Sequence, residues 1–210
     1  SDSNRSPFRY LCQLYNLDLS HNRIERVDEG VLECPCLANS LHYLDMAHNR
    51  LQFVKRHHFA ALRTLVSLRL SSNQISSIEA NAFANTTSLL RLDLADNCLF
   101  RVDSAALFGS LTGLNVLDLS SNSIVTLTAA TLKSLSSLYE LYLANNRLVT
   151  LTDPELFAHA PRLTLLDLAS NRLKRIDLLA CFRHLAASLV YLNLKPAGTD
   201  RPCRAARARP

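Results

Sequence analysis

Hydrophobic residues along this chain keep a fixed beat. Leu65, Leu68 and Leu70 fall three and then two positions apart, and Asn73 follows three later. The frame recurs as Leu41/Leu44/Met46/Asn49, Leu89/Leu92/Leu94/Asn97, Leu114/Leu117/Leu119/Asn122, Leu138/Leu141/Leu143/Asn146 and Leu163/Leu166/Leu168/Asn171. Leu14/Leu17/Leu19/Asn22 opens the series, and Leu189/Leu192/Leu194 closes it without an asparagine. The middle of each frame alternates, with Leu68 and Leu70 inward and Ser67, Arg69 and Ser71 outward, which is the period of a short strand. So short a strand cannot bury its apolar face alone. Successive copies are therefore expected to stack in parallel and share one continuous core.

The other recurring positions each have a physical task. Asn22, Asn49, Asn73, Asn97, Asn122, Asn146 and Asn171 can donate and accept within the turn after each strand, forming a structural ladder. Alanine there would orphan buried amides at about 1–3 kcal/mol each. Two residues on comes an aliphatic (Ile24, Leu51, Ile75, Leu99, Ile124, Leu148, Leu173), and farther on comes Phe59, Phe83, Phe108, Leu132, Phe157 or Phe182. These rings read as a stacked spine on the outer side, built for packing rather than binding.

A repeat of about 24 residues in the form LxxLxLxxN is the signature of a leucine-rich repeat. With the outer Phe-xx-Leu, it resembles the "typical" repeats of extracellular proteins, Toll-like receptor ectodomains and cell-surface adhesion proteins among them. The likeness runs over roughly residues 8–194. The resemblance implies an α/β, curved solenoid with a parallel β-sheet on the concave face and short helical or irregular convex segments. It also implies a glycoprotein at the cell surface or outside the cell, membrane-anchored or secreted, that recognises a protein or other macromolecule in adhesion or innate immunity.

Residues 14–195 then form seven repeats plus a truncated eighth. Residues 1–13 read as the remnant of a preceding repeat, because Phe8/Leu11/Leu14 has the spacing of Phe59/Leu62/Leu65. A piece of a longer array is the expectation. Residues 33–40 stretch the first repeat and are expected to loop out their C-P-C. Residues 196–210 read as a basic, disordered tail.

Composition narrows the function classes. The chain has 210 residues and 48% hydrophobic content, enough for one elongated domain; its four glycines fit turns that rely on asparagine. The net charge of +5 traces to Arg201, Arg204, Arg207 and Arg209, so no nucleic acid is expected as a partner of the nearly neutral repeat body. An arginine-tail nucleic-acid binder is the weakest reading. No apolar run approaches the ~20 residues of a membrane span, and residues 1–10 show no secretory signal.

Six cysteines allow many pairings. Cys34 and Cys36 are too close to bridge each other comfortably, and no second close pair has zinc spacing. Cys181 reads as core filler and Cys98 as a surface or edge thiol, while a Cys181–Cys203 bridge stays open. No phosphate loop, Ser/His/Asp order or HExxH helix occurs, so neither catalysis, nor a metal, nor a cofactor is expected.

Binding is expected on the outward strand positions. Their central column is Asp18, Asp45, Arg69, Asp93, Asp118, Tyr142, Asp167, Asn193, mostly a solvated face. The column before it contains Tyr43, Arg91 and Glu140, and the column after it is small throughout. Tyr43, Arg69, Arg91, Glu140 and Tyr142 interrupt the pattern with residue types suited to partner binding. His21 and His48 could approach one another as polar filler, and His57-His58 reads as convex surface. Asn85-Thr-Thr and Asn4-Arg-Ser match the glycosylation sequon. The alternative to an extracellular receptor segment is a cytoplasmic repeat scaffold or regulatory subunit with reduced cysteines.

Overall fold

In the computed structural model, residues 6–196 are described. Chain order is β1 (Asn16–Asp18), α1 (Pro35–Ser40), β2 (Tyr43–Asp45), β3 (Phe53–Val54), β4 (Ser67–Arg69), β5 (Ser77–Ile78), β6 (Arg91–Asp93), α2 (Ala105–Phe108) and β7 (Val116–Asp118). There follow α3 (Ala129–Leu132), β8 (Glu140–Tyr142), β9 (Thr150–Leu151), β10 (Leu165–Asp167), β11 (Arg175–Ile176), α4 (Leu178–Phe182) and β12 (Tyr191–Asn193). One strand per repeat builds an eight-stranded sheet ordered β1-β2-β4-β6-β7-β8-β10-β12, with every neighbouring pair parallel. The expected repeat solenoid is what the chain forms.

The register follows from the leucine beat. Leu44, Leu68, Leu92, Leu117, Leu141 and Leu166 stand side by side and are at most 1% exposed. Each such burial contributes about 2 kcal/mol, so a slip of one residue, which would turn every leucine to solvent, is ruled out. Beyond β10 the core opens, and Leu192 is 38% exposed.

The asparagine ladder bonds each repeat to the previous one. Asn73 Oδ1 accepts from Leu51 N–H at 2.9 Å, and its Nδ2 donates to Met46, Leu70 and Ser71 carbonyls at 3.0, 3.0 and 3.3 Å. Asn49, Asn97, Asn122, Asn146 and Asn171 repeat the arrangement, whereas Asn22 at the start is exposed. The sharp bend itself lies one residue earlier than the ladder. His21, His48, Ser72, Asp96, Ser121, Asn145 and Ser170 all have φ between 52° and 56°. A left-handed conformation costs a non-glycine residue about 1 kcal/mol. The N–H that each bend aims at the next repeat offsets this, as Ser72 N–H does toward the Ala95 carbonyl at 2.9 Å.

The rings form the anticipated spine. Phe59–Phe83 and Phe83–Phe108 stack with centroids 6.2 and 6.4 Å apart, and Phe157–Phe182 at 5.5 Å. Strands on the opposite face repeat every ~4.8 Å. The wider convex spacing bends the array toward its sheet. Convex segments are short helices, plus two small strand pairs, β3–β5 and β9–β11, that the leucine pattern did not announce.

Two expectations are corrected. Residues 33–40 do not loop out. Pro35 starts α1, a position where its missing N–H costs nothing, and Cys34 and Leu37 are buried in the core. His58 is not surface either: it is buried, its Nδ1 accepts from Lys55 N–H at 3.3 Å, and it meets Phe59 edge-on.

Near the start, Leu11 N–H donates to the Phe8 carbonyl and Leu14 N–H to the Leu11 carbonyl, the same bonds that link Phe59, Leu62 and Leu65. Cys36 pairs with Cys12 in a disulfide that sequence reasoning did not single out. Of the expected basic tail (residues 196–210), residues 197–210 lie outside the described residues, as do Cys203 with its candidate bridge and Asn4.

Candidate functional site: the concave sheet face

The outward side chains of the strands stand on a floor of buried leucines, so their spacing is set by the register. Within the central column the aspartates have a structural task. Oδ1 of Asp18, Asp45, Asp93, Asp118 and Asp167 accepts from the backbone N–H two residues on, at 2.8, 2.9, 3.1, 2.9 and 2.9 Å. Each carboxylate caps the exit of its own strand. Arg69 and Tyr142 lack this bond and are the places where the column departs from turn-making.

Arg69 is held between its neighbours, with Nη1 2.7 Å from Asp45 Oδ2 and Nε 3.7 Å from Asp93 Oδ2; the Asp93 oxygen also accepts from Ser71 Oγ at 2.9 Å. Its side chain remains half exposed. Tyr142 donates its hydroxyl proton to Glu140 Oε2 at 2.9 Å. Burial first, and then this bond and the Glu140 charge, push the Tyr142 phenol up. Burial likewise pushes the Asp118 carboxyl up, outweighing the hydrogen bonds from Ser120. Tyr43 is exposed and leans on Tyr15 with ring centroids 5.4 Å apart.

All five candidates therefore share one sheet face but form two groups. Tyr43, Arg69 and Arg91 lie on the successive strands β2, β4 and β6, while Glu140 and Tyr142 lie together on β8, across β7. A further column went unremarked in the sequence, the residue after the first leucine of each frame. Tyr15, Leu90, Tyr139 and Val190 stand exposed there, and His42 stacks on Tyr15 at 4.4 Å. Reading every outward position of the frame, not three of them, would have found it.

The remaining candidates fall as follows. His21 and His48 do meet, stacked with centroids 4.2 Å apart and both exposed. Among the described residues no three metal-ligating side chains converge. Asn85 is exposed on the convex side, its Nδ2 donating to the Ala60 carbonyl at 2.8 Å. Cys181 is buried, as expected of core filler, and Cys98 is half-buried.

A family model described as "Leucine rich repeat" matches residues 39–99, 87–148 and 136–195. The chain is a leucine-rich repeat protein. Rat leucine-rich repeat-containing G-protein coupled receptor 5 is 34% identical over 113 residues, 51% of this chain and 12% of the receptor. Lumican of Gallus gallus is 36% identical over 101 residues, 47% of this chain and 27% of lumican. Fibromodulin of Oryctolagus cuniculus is 36% identical over 99 residues, 46% of this chain and 63% of fibromodulin. This leucine-rich repeat chain thus spans from 12% to 63% of the lengths of these relatives.

Among solved structures, a TLR13–ssRNA13 complex superimposes with a TM-score of 0.80 at 30% identity, covering 89% of this chain and 25% of that one. The Toll–Spatzle complex of Drosophila gives 0.71 at 27% identity, covering 80% and 23%. The relatives of this leucine-rich repeat chain are non-enzymatic binding proteins found outside the cell or at its surface. No helix among the described residues is long and apolar enough to cross a membrane.

Proposed function

We propose that this chain is the ligand-binding segment of an extracellular recognition or adhesion receptor, and that it grips a protein or other macromolecule on its concave face through Tyr43, Arg69, Arg91, Glu140 and Tyr142. One observation carries the reading. Once the leucines, ladder asparagines and strand-capping aspartates are assigned to the fold, these side chains remain outward on a rigid floor with no turn to make. Pre-organisation of that kind lowers the ordering cost of docking. The relatives' placement supports the compartment, and so does the Cys12–Cys36 disulfide, since such bonds persist in oxidising surroundings. The neighbours named for complexes with Spatzle and single-stranded RNA bind macromolecules.

Two measurements test the proposal. Mass spectrometry after alkylation without reductant should find Cys12 and Cys36 protected and, from a secretory host, a glycan on Asn85. Six alkylated thiols and an unmodified Asn85 would move the chain to the cytoplasmic scaffold reading. A photo-crosslinking residue at Tyr43 or Tyr142, presented to extracellular-matrix extract, should give an adduct that one at convex Gln52 does not. Arg69→Ala with Tyr142→Ala should lower adduct yield at an unchanged melting temperature, and equal yields from both faces reject the concave site.

A further inference from the structure

The concave face is not uniform in charge. Over β2, β4 and β6 the carboxylates of Asp45 and Asp93 are closed by the Arg69 guanidinium between them. Over β7, β8 and β10 nothing similar occurs among the described residues. The register there sets Val116, Glu140 and Leu165 in one row and Asp118, Tyr142 and Asp167 in the next. The two rows make a checkerboard: a carboxylate between two aliphatic side chains, beside an aromatic ring between two carboxylates. Strands repeat at about 4.8 Å, so the three carboxylates lie within about 10 Å of one another. None forms an ion pair among the described residues; Arg91, on the adjoining strand, bears on Asp118 only through its field. Only one oxygen of Asp118 and one of Asp167 is used by the backbone, through Ser120 N–H and Ala169 N–H. Tyr142 is tied to Glu140 on its own strand by its hydroxyl hydrogen bond.

This is an unpartnered sheet face whose charge says what covers it. We infer that the patch on β7, β8 and β10 docks a protein partner that inserts a lysine or arginine side chain, flanked by apolar residues, against Tyr142. The inference rests on the concave reading above and adds the partner's chemistry. A cationic head is attracted by the carboxylates and by the face of the Tyr142 ring, while the aliphatic stem of lysine or arginine lies along Val116 and Leu165. A neutral or acidic partner would leave three carboxylates desolvated without compensation. The Arg69 half of the face, already neutralised, offers no such selection.

The test uses the full chain and two labelled peptides of equal length, one alternating lysine and leucine, the other glutamate and leucine, read by fluorescence anisotropy. The lysine peptide should bind and the glutamate peptide should not, and binding should weaken as salt rises from about 50 to about 300 mM. Glu140→Gln with Asp167→Asn keeps the acceptors for Tyr142 and for Ala169 N–H, so the sheet survives; affinity should fall roughly tenfold. Glu25→Gln with Glu29→Gln removes the same charge elsewhere and should change affinity by less than about twofold. Equal losses in the two double variants, equal binding of both peptides, or a calcium-dependent melting shift abolished by Glu140→Gln with Asp167→Asn would overturn the inference. Should the concave crosslinks of the preceding section form while the peptide arms fail, the face stands and only its proposed chemistry falls.

Discussion

Replacing Asn97 by alanine isolates what one rung of the ladder is worth. The side chain is 2% exposed. Its Oδ1 accepts from Ile75 N–H at 2.9 Å, and its Nδ2 donates to the carbonyls of Leu70, Leu94 and Ala95 at 2.9, 3.1 and 3.1 Å. The three carbonyls keep other donors after truncation. Asn73 Nδ2 still reaches Leu70, Asn122 Nδ2 still reaches Leu94, and Ser72 N–H still reaches Ala95. Ile75 N–H keeps none. Its desolvation costs about 1–3 kcal/mol, and the net loss of the other bonds adds about 1, so Asn97→Ala should destabilise by about 2–4 kcal/mol.

Asn22 supplies the internal control. It is exposed and donates only to its own strand end, to Leu19 and Ser20 carbonyls at 3.0 Å each, where water can substitute. Asn22→Ala should cost less than about 1 kcal/mol. Urea unfolding followed by circular dichroism reads both values, and amide exchange at Ile75 should accelerate selectively in Asn97→Ala. Equal losses in the two variants, or a loss at Asn97 below about 0.5 kcal/mol, would refute the ladder reasoning.

Three further outcomes follow from particular groups. Burial, helped by His57 and Lys55, holds the His58 pKa down to about 4. The fold therefore favours the neutral ring; this stability is complete above pH ~6.5 and fades as pH falls toward 4, by at most about 3 kcal/mol. Melting curves across that window should slope less for His58→Gln than for the parent. Burial raises the Asp118 pKa, so its contribution is full below the unfolded carboxyl value and is lost as pH rises. Asp118→Asn, which keeps the acceptor for Ser120 N–H, should then match or exceed the parent's melting temperature at pH 7 and lose that margin near pH 3. Opening the Cys12–Cys36 disulfide, which spans 24 positions, should cost about 3 kcal/mol by loop-closure entropy, measured as a urea midpoint shift in Cys12→Ser with Cys36→Ser.

What could be read in the letters and what could not divides by whether a position's task restricts residue type. Inward strand sites accept little besides leucine, and ladder sites need both a donor and an acceptor without charge, so both columns were visible before any coordinates. The left-handed bend accepts histidine, serine, aspartate and asparagine alike, because it constrains φ and leaves the side chain in water; no shared letter marks it. Asp118 and Asp167 look like solvated charge until the N–H two residues on is seen to bond them. The Cys12–Cys36 disulfide was legible in principle. Its partners are one repeat apart, and in a stack one period means adjacency. His58 misled by its letter alone: the same place in later repeats holds Ala82, Leu107, Thr131, Leu156 and Cys181, all buried, so the frame marked it as inward against the spine. The same division explains why the partner stayed out of reach. Folding is indifferent to Glu140 and Tyr142 as outward residues, so their types carry no information about the solenoid. Whatever information they carry must concern something outside it, and it can be extracted only by asking which surface leaves neither their charge nor their ring unmatched.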